Sequence, residues 1–254
     1  YLTEIPFDAI DDCKFLTNIV IKTDDKNVKK FDLNIISVIE NIKFGSYVES
    51  INKNVFLNIP NLIEITIPSS VNSIGPYALS KCENLEKVVF ENESSLEKIG
   101  EHSFDGCKKL ISIQIPSSVK TIENNAFIDC TSLQCIKFAA DSSLTFIGSY
   151  AFSGCLNLIQ FTFPSNIKSI ADHTFYKCSR LKQIKLPPSI KAIGKYSFCE
   201  CETLTDINIP ENVNIIDEYA FQKCCKLKSI TIPVSVNKIG MYAFSKCTAL
   251  KQIK

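Results

Sequence analysis

The stretch IPSSVNSIGPYALSKC, residues 67–82, decides the fold because the chain repeats it. Close copies are IPSSVKTIENNAFIDC at 115–130 and IPVSVNKIGMYAFSKC at 232–247. Each copy follows a segment of the form L-x-x-I-x-I, as at residues 62–67. A unit of this length that recurs at a fixed spacing predicts a solenoid, in which neighbouring units stack on one another.

The leucine that opens each L-x-x-I-x-I segment measures the period. Successive anchors are 23 or 25 residues apart, and the spacing of 23, carried backward from Leu62, reaches positions 39 and 16. The eleven anchors are Leu16, Ile39, Leu62, Leu85, Leu110, Leu133, Leu158, Leu181, Leu204, Leu227 and Leu250. We therefore predict one solenoid over residues 1–254, with degenerate repeats over 1–55 and an incomplete C-terminal repeat.

The predicted fold is a solenoid of short parallel strands with one helical turn in each repeat of about 23 residues. L-x-x-I-x-I is the first strand, and a proline such as Pro68 ends it because proline donates no ladder hydrogen bond. S-V-x-x-I-G is a second extended segment, and Gly75 is expected to permit the turn after it. A-F-x-x-C is predicted to be the helical turn that places a phenylalanine in the core. These residues are Phe104, Phe127, Phe152, Phe175, Phe198, Phe221 and Phe244.

Nine of the 12 cysteines share one position of the repeat. They are Cys13, Cys82, Cys107, Cys130, Cys155, Cys178, Cys201, Cys224 and Cys247, and Ile36 and Ile59 take the same position in two repeats. Isoleucine replaces a small buried apolar residue but neither a metal ligand nor a disulfide partner. Stacked strands also hold equivalent Cβ atoms about 5 Å apart, against the ~3.8 Å of a disulfide. We predict a column of reduced cysteines that pack, with no metal.

Two surfaces are candidate protein-binding sites. The first is the outward side of the first strand, with the residues Glu64, Thr66, Lys87, Val89, Ser112, Gln114, Cys135, Lys137, Gln160, Thr162, Gln183, Lys185, Asp206, Asn208, Ser229 and Thr231. The second is an aromatic edge with Tyr77, Tyr150, Tyr196, Tyr219 and Tyr242, where His102, Asn125 and His173 take the same position in other repeats. The alternatives are a solvated strand face and rings that only cover the phenylalanine column.

Two repeats are two residues longer than the others. The extra residues fall in FENESSL at 90–96 and FAADSSL at 138–144, where shorter repeats have the I-P-S-S-V turn. The two segments lie two repeats apart, so we expect them to project from one rim about 10 Å from each other. Insertions at corresponding places form loops on one face, which makes this rim a candidate binding edge.

Composition argues against several other functions. The net charge is +1, from 28 basic and 27 acidic side chains spread along the chain. Proteins that bind nucleic acid cluster their basic residues, so we predict no nucleic acid as a partner. No apolar run approaches the ~18 residues of a membrane-spanning helix. His102 and His173 lie three repeats apart, about 14 Å by the strand rise, and no phosphate-binding or nucleophile motif is present. We predict no enzyme activity, no catalytic residues, no metal site and no cofactor.

The pattern C-x-x-L-x-x-I-x-I-P-x-S-V-x-x-I-G-x-x-A-F-x-x-C resembles the BspA-like, or Treponema-type, leucine-rich repeats. The resemblance implies that the fold class is a leucine-rich-repeat solenoid, which forms a curved right-handed coil. It also implies a non-enzymatic protein-binding solenoid, surface-associated and used in adhesion or host interaction. The alternative is an intracellular scaffold or regulatory module.

The resemblance predicts a location at the cell surface or plasma membrane, whereas free cysteines favour the reducing cytoplasm. Asn92-Glu93-Ser94 is a glycosylation acceptor and favours a secreted chain. Exposed strand edges recruit other strands, so the uncapped terminal repeats predict end-to-end self-association.

Overall fold

Two sets of short parallel strands build the computed structural model of the chain, which describes residues 18–21, 27–28, 39–44 and 48–254. The first wall consists of β1 (Asn18–Ile21), β3 (Asn41–Phe44), β5 (Glu64–Ile67), β7 (Lys87–Phe90), β9 (Ser112–Ile115), β11 (Cys135–Phe138), β13 (Gln160–Thr162), β15 (Gln183–Lys185), β18 (Ser229–Ile230) and β20 (Gln252–Ile253). The second wall consists of β2 (Asn27–Val28), β4 (Ser50–Ile51), β6 (Ser73–Ile74), β8 (Lys98–Ile99), β10 (Thr121–Ile122), β12 (Phe146–Ile147), β14 (Ser169–Ile170), β16 (Ala192–Ile193), β17 (Ile215–Ile216) and β19 (Lys238–Ile239).

Strand pairing follows the period of the sequence. Ile65 pairs with Val88 and Ile42 with Ile65, in parallel and each across one short repeat. Across a longer repeat the pairing takes up the extra residues, as between Thr121 and Phe146 of the second wall. The predicted parallel solenoid is therefore confirmed. The predicted cysteine Cys13, the anchor Leu16 and most of the degenerate region 1–55 lie outside the described residues.

Alternation along the strands places the core between the walls. In β5, Ile65 and Ile67 are buried while Glu64 and Thr66 are half-buried. The phenylalanine rings form a stack in this core, with centroids 5.0 Å apart between Phe104 and Phe127 and 5.2–5.6 Å apart in the later pairs. Each repeat therefore covers the ring of its neighbour, and the core runs along the solenoid axis.

The predicted helical turn is wrong. The described residues contain no helix, and the segment in question is a run of turns with positive φ at Tyr77 (56°) and Lys81 (60°). The N–H of Tyr77 donates to the carbonyl oxygen of Glu101 in the next repeat at 2.8 Å, and Leu79 and Lys81 bond to that repeat in the same way. An α-helix would direct these donors to carbonyls four residues back. Here they join neighbouring repeats, and the segment forms a third, hydrogen-bonded side of the coil, which we call the turn wall (residues 77–81 and their equivalents).

The regular spacing of glycine has a different cause from the one predicted. Among the described glycines only Gly106 and Gly154 have positive φ. A Cβ on Gly100 would lie 2.6 Å from the carbonyl oxygen of Ile74 and 2.7 Å from the carbonyl carbon of Gly75. These glycines therefore permit close approach of two backbones, whereas the left-handed conformation falls two residues later, at the tyrosine position.

The first wall is not one continuous sheet. β7 is the last strand of the sheet β1-β3-β5-β7, while β9 pairs only with β11. The next opening lies between β11 and β13. Both openings coincide with one of the two longer repeats. A further opening follows β15 without an insertion, and a single bridge between Asn208 and Thr231 continues the wall there.

Candidate protein-binding site

The outward positions of the first wall form a row of accessible side chains. Buried and accessible residues alternate along β9, β13 and β15, so the predicted outward residues on these strands face away from the core. Asp206, Asn208, Ser229 and Thr231 are exposed as well. One ion pair, Lys87 Nζ to Glu64 Oε1 at 2.9 Å, links two adjacent repeats on this face. The face is polar and nearly neutral, and Val89 is its only aliphatic member.

Stacked rings make up the aromatic edge. Tyr77 stacks on His102 with centroids 4.5 Å apart. After Asn125 a second stack begins, with centroid separations of 4.2–5.1 Å in the order Tyr150, His173, Tyr196, Tyr219 and Tyr242. The rings are half-buried except for Tyr242, which is exposed. All of these residues have φ between 53° and 58°, a feature that the sequence pattern did not reveal because it is uncommon outside glycine.

The two histidines have different surroundings. His102 Nδ1 lies 3.1 Å from Asp105 Oδ2. Nδ1 of His173 is buried without a hydrogen-bond partner between the rings of Tyr150 and Tyr196, and burial lowers the pKa of this imidazole. The two side chains belong to separate stacks. No group of three or more His, Cys, Asp or Glu side chains suited to a metal occurs in the described part of the chain.

The described cysteines of the shared position are free and lie on the core side of the turn wall. Seven of them are buried and Cys247 is half-buried. Each thiol donates to a backbone carbonyl of the preceding repeat; Cys130 Sγ, for example, lies 3.1 Å from the carbonyl oxygen of Phe104. Burial raises the pKa of the Cys82 thiol to about 12. A side-chain hydrogen bond with Cys224 lowers the pKa of Cys247.

Three further cysteines lie outside the column. Cys135 on the outward face and Cys225 are half-buried, while Cys199 is buried and its thiol lies 3.5 Å from Gln222 Oε1. Burial raises the pKa of Cys199 to about 11. The Cys199 thiol is therefore protonated and of low nucleophilicity at neutral pH, which does not point to catalysis.

The two longer connections fold alike. Ser95 N–H donates to the carbonyl oxygen of Ser69 at 2.8 Å, and Ser143 N–H donates to that of Ser117 at the same distance. In each loop a serine hydroxyl then accepts the N–H of the leucine two residues later, at 3.3 Å. We call residues 91–95 and 139–143 the insertion loops. Their shared hydrogen bonds hold both of them against the preceding repeat.

A groove of about 470 Å³ lies where the first wall opens between β7 and β9. It is lined by residues of both strands, by residues 91–94 of the first insertion loop and by Ala139 of the second. Both insertion loops therefore contribute to one groove, whereas the sequence placed them only on the same rim. Asn92, the exposed glycosylation acceptor, also lines the groove. Sequence reasoning missed the groove because the opening of the strand ladder has no signature beyond the two extra residues.

No helix among the described residues has the length and apolar character that spanning a bilayer requires.

Comparison with known families gives a match over nearly the whole chain. A model described as the BspA type leucine rich repeat region matches in six copies, over residues 3–134, 92–180 and 132–251. No curated protein sequence matches the chain.

Solved structures with a similar fold come from several bacteria. A leucine-rich repeat protein of T. pallidum is 26% identical, with a TM-score of 0.57, over 75% of this chain and 84% of that one. The pneumococcal vaccine antigen PcpA is 24% identical, with a TM-score of 0.62; the match covers 93% of this chain but 61% of that one. A leucine-rich repeat protein of Eubacterium ventriosum is 17% identical, with a TM-score of 0.50, over 95% and 92% of the two chains. The last two likenesses concern the fold alone.

Proposed function

Because the chain belongs to the BspA-type leucine-rich repeat family, we propose that it is a non-enzymatic protein-interaction module that binds its partner through the outward face of the first wall. The observation that carries this proposal is the row of accessible polar side chains on strands that the core holds in fixed register. Solenoids use such extended surfaces to bind proteins. The two histidines lie in separate stacks and so do not form a dyad with each other.

The binding face is tested with charge changes on two different surfaces. Thr162→Arg with Lys185→Glu alters the outward face, whereas Lys191→Glu changes an exposed residue beside the second wall. The immobilised chain is used for affinity capture followed by mass spectrometry, and the captured protein is then titrated against each variant. We expect the first variant to lose binding and the second to retain it. Equal affinity for both variants would assign binding to another surface.

We propose a location at the cell surface, with an adhesion or host-interaction role, and keep an intracellular scaffold as the alternative. The family match supports the first and the reduced thiols support the second. Cys135 and Cys225 are partly accessible and therefore suit thiol labelling. Labelling of intact cells by an impermeant reagent supports the surface location, and labelling only after permeabilisation supports the scaffold.

Self-association is a separate part of the proposal. Parallel edges of the two walls accept further strands, so copies of the chain are proposed to associate end to end. Sedimentation velocity over a hundredfold range of concentration measures this. A sedimentation coefficient independent of concentration contradicts it.

A further inference from the structure

We propose that Asn92 is a site of N-linked glycosylation and carries an oligosaccharide on the rim of the first wall. The proposal rests on the proposed surface location, because this modification belongs to chains that are secreted. Asn92-Glu93-Ser94 is the only Asn-x-Ser/Thr sequence of the chain. Two structural properties support its use: the exposure of the turn that contains it and a side-chain amide that the fold does not employ.

The folded chain leaves room for a sugar at this turn. Asn92 and Glu93 form the turn of the first insertion loop, with a φ of 57° at Glu93, and both residues are exposed. The turn lies between β7 and β8, outside the strands of both walls. An N-linked glycan is bulky and hydrophilic, so a turn at the surface accommodates it without displacing packed residues.

The amide of Asn92 takes no part in joining the repeats. Other asparagine side chains do: Asn157 Nδ2 donates to the carbonyl oxygen of Thr131 at 2.9 Å, and Asn212 Nδ2 donates to that of Pro188 at 2.8 Å. Asn92 has no hydrogen-bond partner among the residues that the structure describes. Attachment of a sugar to its Nδ2 atom therefore breaks no such contact within the described chain.

The transfer forms one bond and breaks one. Nδ2 of Asn92 bonds to the anomeric carbon of the first sugar of an oligosaccharide that is carried on a polyprenyl diphosphate. The bond between this carbon and the diphosphate oxygen breaks, the diphosphate leaves with the electron pair, and Nδ2 releases one proton. Ser94 supplies the hydroxyl that the acceptor sequence requires two residues after the asparagine.

The glycan would also limit where the partner binds. Asn92 lines the same groove as Val89 and Gln114, which belong to the outward face. A glycan on Asn92 occupies the space in front of these two residues. The partner is left with the outward residues of later strands, such as Thr162 and Lys185.

Peptide mass spectrometry of the chain, isolated from the cells that make it, tests the proposal. Trypsin cleaves after Lys87 and Lys98 and so releases residues 88–98, which contain Asn92. A glycan-removing amidase in heavy-oxygen water converts a glycosylated asparagine into an isotope-labelled aspartate, whereas an unmodified asparagine keeps its mass. The affinity for the captured partner is measured before and after the amidase treatment.

Two variants expressed in the same cells serve as controls. Ser94→Ala destroys the acceptor sequence and retains Asn92. Ala140 is exposed and takes the position of Asn92 in the second insertion loop, so Ala140→Asn places the sequence Asn-Asp-Ser there. Thermal unfolding of each variant verifies that it is folded.

We expect the isotope label at position 92 of the unaltered chain, its loss in Ser94→Ala, and a second glycan in Ala140→Asn. Removal of the glycan should leave the affinity for the partner unchanged, and a change would contradict the limit placed on the partner. Absence of the isotope label at position 92, or its persistence in Ser94→Ala, overturns the inference.

The two proposals fail in distinguishable ways. If position 92 is unmodified while the impermeant thiol reagent reacts with intact cells, the surface location stands without the glycan. If position 92 is unmodified and the thiols react only after permeabilisation, the location and the glycan are both wrong. A glycan on Ala140→Asn with none on Asn92 would also overturn the inference, since the cells would then modify the rim but not this residue.

Discussion

A cysteine is a small apolar side chain with a weak hydrogen-bond donor, and the shared position of the repeat uses both properties. Ile59 takes this position in one repeat and is 2% exposed, so the pocket is apolar. Packing could be predicted from the sequence because isoleucine takes this position in two repeats and cysteine takes it in the others. The S–H···O bond could not be predicted, since its acceptor lies on the turn wall of the preceding repeat, a segment whose backbone was predicted to be helical.

Cys107 provides a test of this pocket. Its thiol is buried and donates to the carbonyl oxygen of Leu79 at 3.3 Å. Cys107→Asn should lower the free energy of unfolding by about 2–4 kcal/mol, because the amide loses water and finds at most one partner. Cys107→Ala removes only the sulfur and should cost about 1 kcal/mol. Urea unfolding of both variants measures the difference, and equal losses would contradict the apolar pocket.

Burial of the thiols also predicts alkaline unfolding. The pKa of Cys82 rises from the ordinary 9.0 to about 12 in the folded chain, so the unfolded chain releases this proton first as pH increases. Stability should be complete below pH 9 and decline between pH 9 and 12, by up to about 1.4 kcal/mol per pH unit for each such thiol. Urea midpoints at pH 7.5, 9 and 10 measure the slope. Cys82→Ala with Cys178→Ala should make it shallower, and an unchanged slope would assign alkaline unfolding to other groups.

At the scale of the element, the two strands of each repeat were predictable and the third segment was not. Alternation of apolar and polar residues fixes a strand, as in residues 64–67. The turn wall has neither that alternation nor a glycine at its first left-handed residue, Tyr77, so the A-F-x-x-C pattern was taken for a helix. Bonds between repeats stabilise that conformation, and a single repeat does not reveal them.

Gly100 shows how closely neighbouring elements approach. Gly100→Ala would place Cβ 2.6 Å from the carbonyl oxygen of Ile74, so two backbones must separate, at a cost of about 1–3 kcal/mol. The matched control is Gly106→Asn. Gly106 has a φ of 68°, which asparagine tolerates, and its nearest neighbour to an added Cβ is 3.8 Å away. Thermal unfolding compares the two; a smaller loss for Gly100→Ala would contradict the close-approach explanation.

The whole molecule was the most predictable scale, because the repeat period alone implies stacked repeats and one continuous core. The candidate binding surface was the least predictable. The outward residues lie on the strand face, where no one of them stands out, and Glu91, Glu93 and Ala139 line one groove only because the first wall opens there.

The stacking of repeats also predicts how the effect of a core substitution spreads along the solenoid. Phe152 is fully buried and its ring lies 5.6 Å from those of both Phe127 and Phe175. Phe152→Ala should cost about 3–5 kcal/mol and, since repeats stabilise only their neighbours, separate unfolding into two steps. Phe244 is partly buried and stacks on Phe221, so Phe244→Ala should cost less and leave one main transition. Calorimetry distinguishes the two, and a single sharp transition for Phe152→Ala would show tighter coupling than nearest-neighbour stacking allows.

The absence of any disulfide among the described cysteines has a mechanical consequence. Hydrogen bonds between repeats run along the axis, so a tensile load on the two ends peels repeats away in succession. Each repeat that is pulled out would lengthen the molecule from its ~4.8 Å rise to about 80 Å of extended chain. Optical tweezers should therefore record a series of similar short extensions rather than one large rupture, and each should reverse when the force is released. Such a chain would take up a load applied to its two ends by unfolding one repeat at a time.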